Sequence, residues 1–429
     1  MTKRQPEQAS TDLQNNATCM DDFDPNSLPI DVAKARILES IEPLKSYVKI
    51  AIRGCLNRVL AKDIVSPINV PAYTNSAMDG YAIKGKDIPS TGETELSIVA
   101  TIMAGQPTTK SISTGQCARI MTGGKMPKGA DTVIMQEHVT RNNDTIRINN
   151  SHNTGQNVRQ AGEDLAVNDL VLNAGHELNS ADIGLLASIG IPETTVYRKL
   201  RIAFFSTGDE LRSIGEPLNE GQIYDSNRYT IHSMLTRLGV DIIDMGVIPD
   251  DKNQIREAFA LAASQADALI TSGGVSVGEA DYVKEILEEI GHVDFWKIAM
   301  KPGRPLAFGN IDNCLFFGLP GNPVSVMVTF YQFVLPALKK LSGQSTYEPT
   351  IISITCQSSL KKSPGRVELQ RGILDYNNDG RLVVFSTGEQ GSGILCSMSK
   401  ANCFIILPME CKSVEPGDVV SVQPFAGLI

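Results

Sequence analysis

The apolar positions fall into three regimes along the chain. Between 197 and 341, buried-type strand runs alternate with helical periods: 199–207, 266–272 and 314–318 are apolar runs. Each ends in a turn of small residues and then a helix start. The spacing predicts helices over 226–238, 251–265, 281–290 and 323–341. Strands alternating with such helices predict a parallel, doubly wound α/β sheet with right-handed crossovers. From 71 to 164 the pattern changes to short β runs (96–102, 117–121, 132–135, 145–148) separated by Gly, Pro, Asn and Asp, which predicts a β-rich insert. From 350 to the end the chain is strand-rich again, with turns at 363–365, 377–380 and 416–418, and reads as a small β-barrel or sandwich. Two further helices are expected: 30–41, with Asp31 as its cap, and 180–189, with Ser180 as its cap and Gly190 as its stop.

This pattern divides the chain into an extension over 1–28, expected to be disordered, and a helix region over 29–47. A discontinuous β domain follows over 48–70 and 165–191, with the insert at 71–164 inside it. The α/β domain covers 192–345 and the terminal β domain 346–429. A length of 429 residues suits several cores rather than one. The net charge of −9 argues against non-specific nucleic-acid binding. Eight cysteines are scattered without a Cys-x-x-Cys pair and the five histidines form no close pair in sequence, so a zinc site is not expected and free thiols fit a reducing cytoplasm. No apolar run reads as long enough to cross a bilayer, and the N-terminus lacks the apolar segment of a signal peptide.

The chemistry gathers at the turns. In an open parallel sheet, ligands bind outside the carboxyl ends of the strands, where helix N-termini offer N–H groups to anions. The run Thr207-Gly208-Asp209-Glu210 is one such turn. Ser272-Gly273-Gly274-Val275-Ser276, leading to Asp281, is the second, and Leu319-Pro320-Gly321-Asn322-Pro323-Val324-Ser325 the third. Carboxylates beside phosphate-type turns point to a divalent cation such as magnesium. Neither a dinucleotide fingerprint nor a P-loop is present, and a tight strand–helix turn accounts for the glycines equally well. Lys297, Lys301 and Arg304 lie in a segment whose backbone Pro302 and Pro305 would fix, and which is either a solvated charge run or a shaped oxyanion site. The segments around Arg366 and Ser392 allow the same two readings. The polar run 75–81, with Asp79, supplies nothing to a core and reads as a functional loop, as does the run holding Thr122. No Ser-His-Asp or Cys-His spacing supports nucleophilic catalysis.

Nine ordered motifs then narrow the reading: NSAMDGYA (75–82), RIMTGGKMPKGADTVIMQE (119–137), GEDL (162–165), FSTGDEL (205–211), GQIYDSNRY (221–229), SGGVSVGEADYVK (272–284), KIAMKPGRP (297–305), GLPGNPVS (318–325) and PGRVELQRG (364–372). Together they resemble the MoeA family of molybdopterin molybdenumtransferases, related to the gephyrin E domain and the plant Cnx E domain. The likeness runs from about Pro29 to the end.

The resemblance implies a magnesium-dependent enzyme of molybdenum cofactor biosynthesis. It would insert molybdenum from molybdate into adenylylated molybdopterin, releasing AMP. It also implies a homodimer whose active site is shared between the α/β domain of one subunit and the insert of the other, and transient contact with the molybdopterin adenylyltransferase. Asp164, Glu210, Asp250 and Asp281 are the implied magnesium ligands, and Asp79 and Thr122 the residues reaching across the dimer. Lys297 and Lys301 would hold phosphate or molybdate. Ser325, Arg366 and Ser392, with Lys301, would cradle molybdate through hydrogen-bond donors. The remaining cofactor-binding positions are Thr207, Gly208, Ser272, Gly273, Gly274, Ser276, Pro320 and Pro323. A scaffold that keeps the fold without the chemistry is the alternative, since gephyrin relatives also cluster receptors; an AMP-release assay separates the two.

Overall fold

The computed structural model describes residues 26–274 and 282–425. Most of the extension, together with Ser276 and Asp281, therefore lies outside the described residues. The chain falls into two compact units: 47–197, and 26–46 together with 198–425.

The second of these is built on a six-stranded sheet. Its order is Asp241–Ile248, Arg201–Thr207, Ala268–Ser272, Cys314–Leu319, Pro305–Ile311, His292–Lys297. The first four strands run parallel, and the last two are added antiparallel, so the sheet is mixed rather than wholly parallel. The two-residue period of a strand explains why it is covered on both faces. Ile202, Phe204, Ile270 and Phe317 join one core, with Ile231 and Leu235 of the helix Ser226–Leu238. Ala203, Phe205, Leu269 and Phe316 join the other, with Phe259 of Lys252–Gln265 and Ile286 of Tyr282–Ile290. The first core also takes Ile30, Ala33, Ile37 and Ile41 from the N-terminal helix region.

That helix spans Ile30–Glu39, and its cap differs from the expectation. Pro29 precedes it with no side-chain cap, and Asp31 lies in the first turn, where its charge favours the positive helix end. Asp251, by contrast, does cap its helix, accepting from the N–H groups of Asn253 and Gln254 at 3.1 and 2.9 Å.

The segment predicted as one helix over 323–341 is three pieces: an α-helix Pro323–Thr329, a π turn Phe330–Val334 and an α-helix Leu335–Leu341. Pro336 has no N–H to give to the fourth carbonyl back, and the wider π turn accommodates that gap. Within the turn, Gln332 accepts from Lys34 Nζ at 2.7 Å and donates to Gln423 Oε1 at 2.8 Å. By length and composition alone these 19 residues would suffice to cross a membrane, contrary to the expectation of no such run; 78% of the apolar window is buried in this unit, which makes it a core element.

In the terminal region, the strands Ile352–Thr355, Val419–Pro424, Cys403–Leu407, Val367–Tyr376 and Leu382–Ser386 pair in sequence around one sheet. A bridge between Cys356 and Val384 joins the two ends, so the sheet closes into a barrel.

The unit 47–197 contains the pair Tyr47–Ala51 with Glu193–Tyr197, a short pair of Ile64–Val65 with Leu170–Leu172, and a six-stranded sheet running from Gly80 to Asn149. Its helix Ser180–Ser188 is capped by Asn179, one residue before the expected Ser180. Asn179 Oδ1 accepts from the N–H groups of Ala181 (2.7 Å) and Asp182 (3.1 Å), and Asp182 Oδ2 accepts from the Asn179 N–H at 2.8 Å, forming a capping box. Asn179→Ala is expected to cost about 1 kcal/mol, read as a lowered denaturation midpoint, whereas Asn179→Ser retains most of the stability.

Candidate active site

Three turns meet at the carboxyl ends of the parallel strands. The strand Arg201–Thr207 ends in Gly208. The strand Ala268–Ser272 ends in Gly273 and Gly274, whose φ values of +93° and +67° favour glycine. A Cβ on Gly273 would stand 2.8 Å from the Thr207 carbonyl oxygen, so the first two turns touch and neither has room for a side chain there. The Gly273 N–H donates to the Leu319 carbonyl at 3.2 Å, which brings in the third turn, with Pro320 and Pro323 on it. Asn227, at the start of the helix Ser226–Leu238, ties the second and third together: its Nδ2 donates to Ser272 Oγ at 2.8 Å and to the Gly321 carbonyl at 2.7 Å. Sequence reasoning assigned Asn227 no role, although it lies inside one of the quoted motifs.

Carboxylates border the first turn. The Asp250 N–H donates to Asp209 Oδ1 at 3.3 Å. Loss of water on the inward side of the Asp250 carboxyl, then the like charges of Asp209 and Glu210, push its pKa up. Such crowding suits a cation, and carboxylate oxygens are the donors magnesium prefers. Among the described residues, no three acidic, imidazole or thiol groups converge closely enough to hold a metal by themselves. Asp281 lies outside the described residues, and Asp164 belongs to the unit 47–197.

The cationic segment meets the barrel. Met300 and Lys301 pair in parallel with Val367 and Glu368, next to Arg366, and Lys301 Nζ lies 3.3 Å from Glu368 Oε1. Gly303 packs against the Ser325 carbonyl, which a Cβ would approach to 3.5 Å. The Val324 N–H donates to the Ser392 carbonyl at 3.1 Å. Lys301, Ser325, Arg366 and Ser392, chosen from motifs far apart in the chain, thus belong to one neighbourhood. Lys297 is exposed at the end of the strand His292–Lys297, its carbonyl accepting from the Leu28 N–H at 2.7 Å.

Beside this neighbourhood opens a cavity of about 480 Å³, lined by Lys301, Lys361, Glu368, Gln370, Arg371 and Gln390 among others. Arg371 is 1% exposed, and burial lowers its pKa to about 10. It donates to Ser397 Oγ and to the Gly391 carbonyl, both at 3.0 Å, bracing the loop that carries Ser392. The sequence signal for it was a second arginine in the quoted run 364–372, at a position of the strand that faces inward.

In the unit 47–197, the Thr122 N–H and Oγ1 both donate to Asp79 Oδ1 at 2.7 Å. The backbone N–H and then the hydroxyl hold the Asp79 carboxyl below the usual range, with Arg119 adding to it. Asp79 and Thr122 are therefore one hydrogen-bonded constellation. His138 and His152 stack with centroids 5.9 Å apart, a pair the sequence spacing hides. The buried thiols of Cys117, Cys314 and Cys403 are pushed up to about 12 by loss of water, so they are poor nucleophiles.

Comparison with known proteins gives a consistent match along the chain. Residues 28–190 match the MoeA N-terminal region (domains I and II), 203–340 a probable molybdopterin-binding domain, and 353–425 the MoeA C-terminal region (domain IV). The chain is 45% identical to a molybdopterin molybdenumtransferase of Haemophilus influenzae over 94% of its own length and 100% of the relative's. It is 34% identical to gephyrin of Dictyostelium discoideum, over 92% of this chain and 62% of that protein. The crystal structure of a molybdopterin biosynthesis MoeA protein from Pyrococcus horikoshii superposes with a TM-score of 0.81 at 29% identity, covering 93% of this chain and 100% of that one. With all three regions matched in order and the Haemophilus influenzae relative covered along its whole length, the chain belongs to the MoeA family of molybdopterin molybdenumtransferases.

Proposed function

We propose that this chain inserts molybdenum, delivered as molybdate, into molybdopterin presented as its adenylate, and that water cleaves the adenylate phosphoanhydride to release AMP. The observation that carries this reading is the run of contacts from the glycine turns, through the turn 320–325, to Gly303 and the loop of Ser392, where Lys301 lines a polar cavity against the barrel. The glycine turns after Thr207 and Ser272 would receive the adenylate. Lys297 and Lys301 supply positive charge to a polyanion. Lys301, Ser325, Arg366 and Ser392 offer hydrogen-bond donors around a tetrahedral oxyanion. Glu210 and Asp250, with Asp281 and Asp164, are the carboxylates that would hold magnesium; when bound, the ion neutralises phosphate charge and acts as a Lewis acid.

The same reading makes the protein a homodimer in which the Asp79–Thr122 pair serves the partner's α/β turns, with transient contact to the molybdopterin adenylyltransferase. Nucleic acid and membrane have no place in it. The described cysteines are all free, which fits a reducing compartment such as the cytoplasm.

The test is reconstitution of molybdenum cofactor from adenylylated molybdopterin and molybdate, with AMP measured alongside. Loss of one charge-assisted hydrogen bond costs about 1.5–3 kcal/mol, roughly ten- to hundredfold in affinity. Arg366→Ala is therefore expected to raise the half-saturating molybdate concentration by about that factor while titration calorimetry shows adenylate affinity little changed. Equal loss of both would assign Arg366 to the phosphate site. A chain that folds but releases no AMP would favour the scaffold reading.

A further inference from the structure

We propose that Asn227 is a positioning residue that fixes the Ser272 hydroxyl as a hydrogen-bond donor to the substrate's anionic oxygen. The inference rests on the reading that the Ser272 turn holds the adenylate.

Both amide protons of Asn227 are committed, one to Ser272 Oγ at 2.8 Å and the other to the Gly321 carbonyl at 2.7 Å. A hydroxyl has one proton to give and two lone pairs to receive with. Because Ser272 Oγ already accepts from Asn227, its own proton must point elsewhere, and no described residue accepts it. Ser272 is 2% exposed, and a hydroxyl proton left unpaired in such surroundings is costly. The turn therefore selects an acceptor, and an anionic oxygen is the strongest one.

A second observation supports the direction of the amide. Asn227 Oδ1 is buried and has no hydrogen-bond partner among the described residues. Leaving a buried carbonyl oxygen unpaired is costly. Turning the amide over would place that oxygen against the Gly321 carbonyl, two acceptors face to face. The Gly321 bond thus locks the orientation in which Ser272 receives a proton from Asn227 rather than giving one. Asn227 lies on the helix Ser226–Leu238, so the lock is anchored to a rigid element rather than to the turns themselves.

A double-mutant cycle tests this, using adenylylated molybdopterin as the probe and reading KM and kcat for AMP release together with melting temperature. Ser272→Ala removes the donor and is expected to raise KM by about ten- to hundredfold with kcat little changed, as for a bond made equally in ground and transition states. Asn227→Ala is expected to raise KM by a similar factor, and the double variant to be no worse than either single within about twofold, because both remove one interaction. Asn227→Asp is isosteric and serves where the alanine variant folds poorly. Its carboxylate draws the Ser272 proton inward and adds like charge, so KM rises at least as far as in Ser272→Ala. If the two single effects multiply in the double variant, or Asn227→Ala and Asn227→Asp leave KM unchanged while Ser272→Ala raises it, the positioning role is overturned. If Ser272→Ala itself is silent, the anion does not sit on this turn, and the reading beneath the proposal falls with it.

Discussion

Asp250→Asn is expected to melt at a higher temperature than the parent chain without divalent ions, and to lose about 10²–10³ of its turnover, the size seen when a pre-organised electrostatic group is removed. The two effects share a cause. Asp250 sits beside Asp209 and Glu210, and its pKa in the folded chain is raised above the ordinary carboxylate value. A raised acid binds its proton more tightly folded than unfolded. Its favourable contribution is therefore complete below the unfolded pKa and disappears as pH rises through the folded one. At neutral pH the ionised carboxylate works against folding, and asparagine relieves that repulsion. On the proposed reading magnesium would do the same for the parent by neutralising the cluster, so its stabilising effect should grow from about pH 4, the ordinary carboxylate range, to neutral pH in the parent and change less in the variant. Thermal melts across a magnesium titration at both pH values measure this. A variant that keeps parental turnover, or a parent whose magnesium response ignores pH, removes Asp250 from the cation site.

Equally large effects are expected from mixing two inactive variants. Asp79→Asn disturbs the acceptor of both Thr122 donors, and Asp250→Asn disturbs the acidic turn. If each active site draws on two subunits, one subunit's intact Asp79 can serve the other's intact Asp250. Random exchange makes about half the dimers mixed, each with one intact site of two, so activity should return to about a quarter of the parent. Subunit exchange is verified with two differently tagged chains. Full exchange without recovery would place both residues in a site made by one subunit.

The fold was legible where periodicity was strong. The helices at 226–238 and 252–265 lie where the apolar spacing puts them, because one stripe of each faces the sheet. Boundaries governed by side-chain hydrogen bonds were less legible: Asn179 rather than Ser180 closes the capping box, since the box needs Asp182 three residues on. The π turn was invisible because its mostly apolar residues continue the helical pattern and Pro336 alone marks it. At the site, the glycine turns were readable from composition, and the family motifs named the charged residues. What the motifs did not convey was who holds whom. Asn227 and Arg371 act through neighbours distant in sequence, Ser272 and Gly321 for one and Gly391 and Ser397 for the other, and no local pattern encodes those contacts.

The N-terminal helix has a consequence for how the chain is made. Ile30, Ala33 and Ile37 are buried against a core supplied by residues after 198, and Lys34 finds Gln332 across 298 positions of sequence. At about 5–20 residues per second, the ribosome delivers that partner roughly 15–60 s after the helix. The unit 47–197 is continuous, so it can complete its own contacts during that interval. This early helix is thus among the last described elements to dock, and its apolar stripe waits, exposed to chaperones and proteases, until the segment Pro323–Leu341 leaves the exit tunnel.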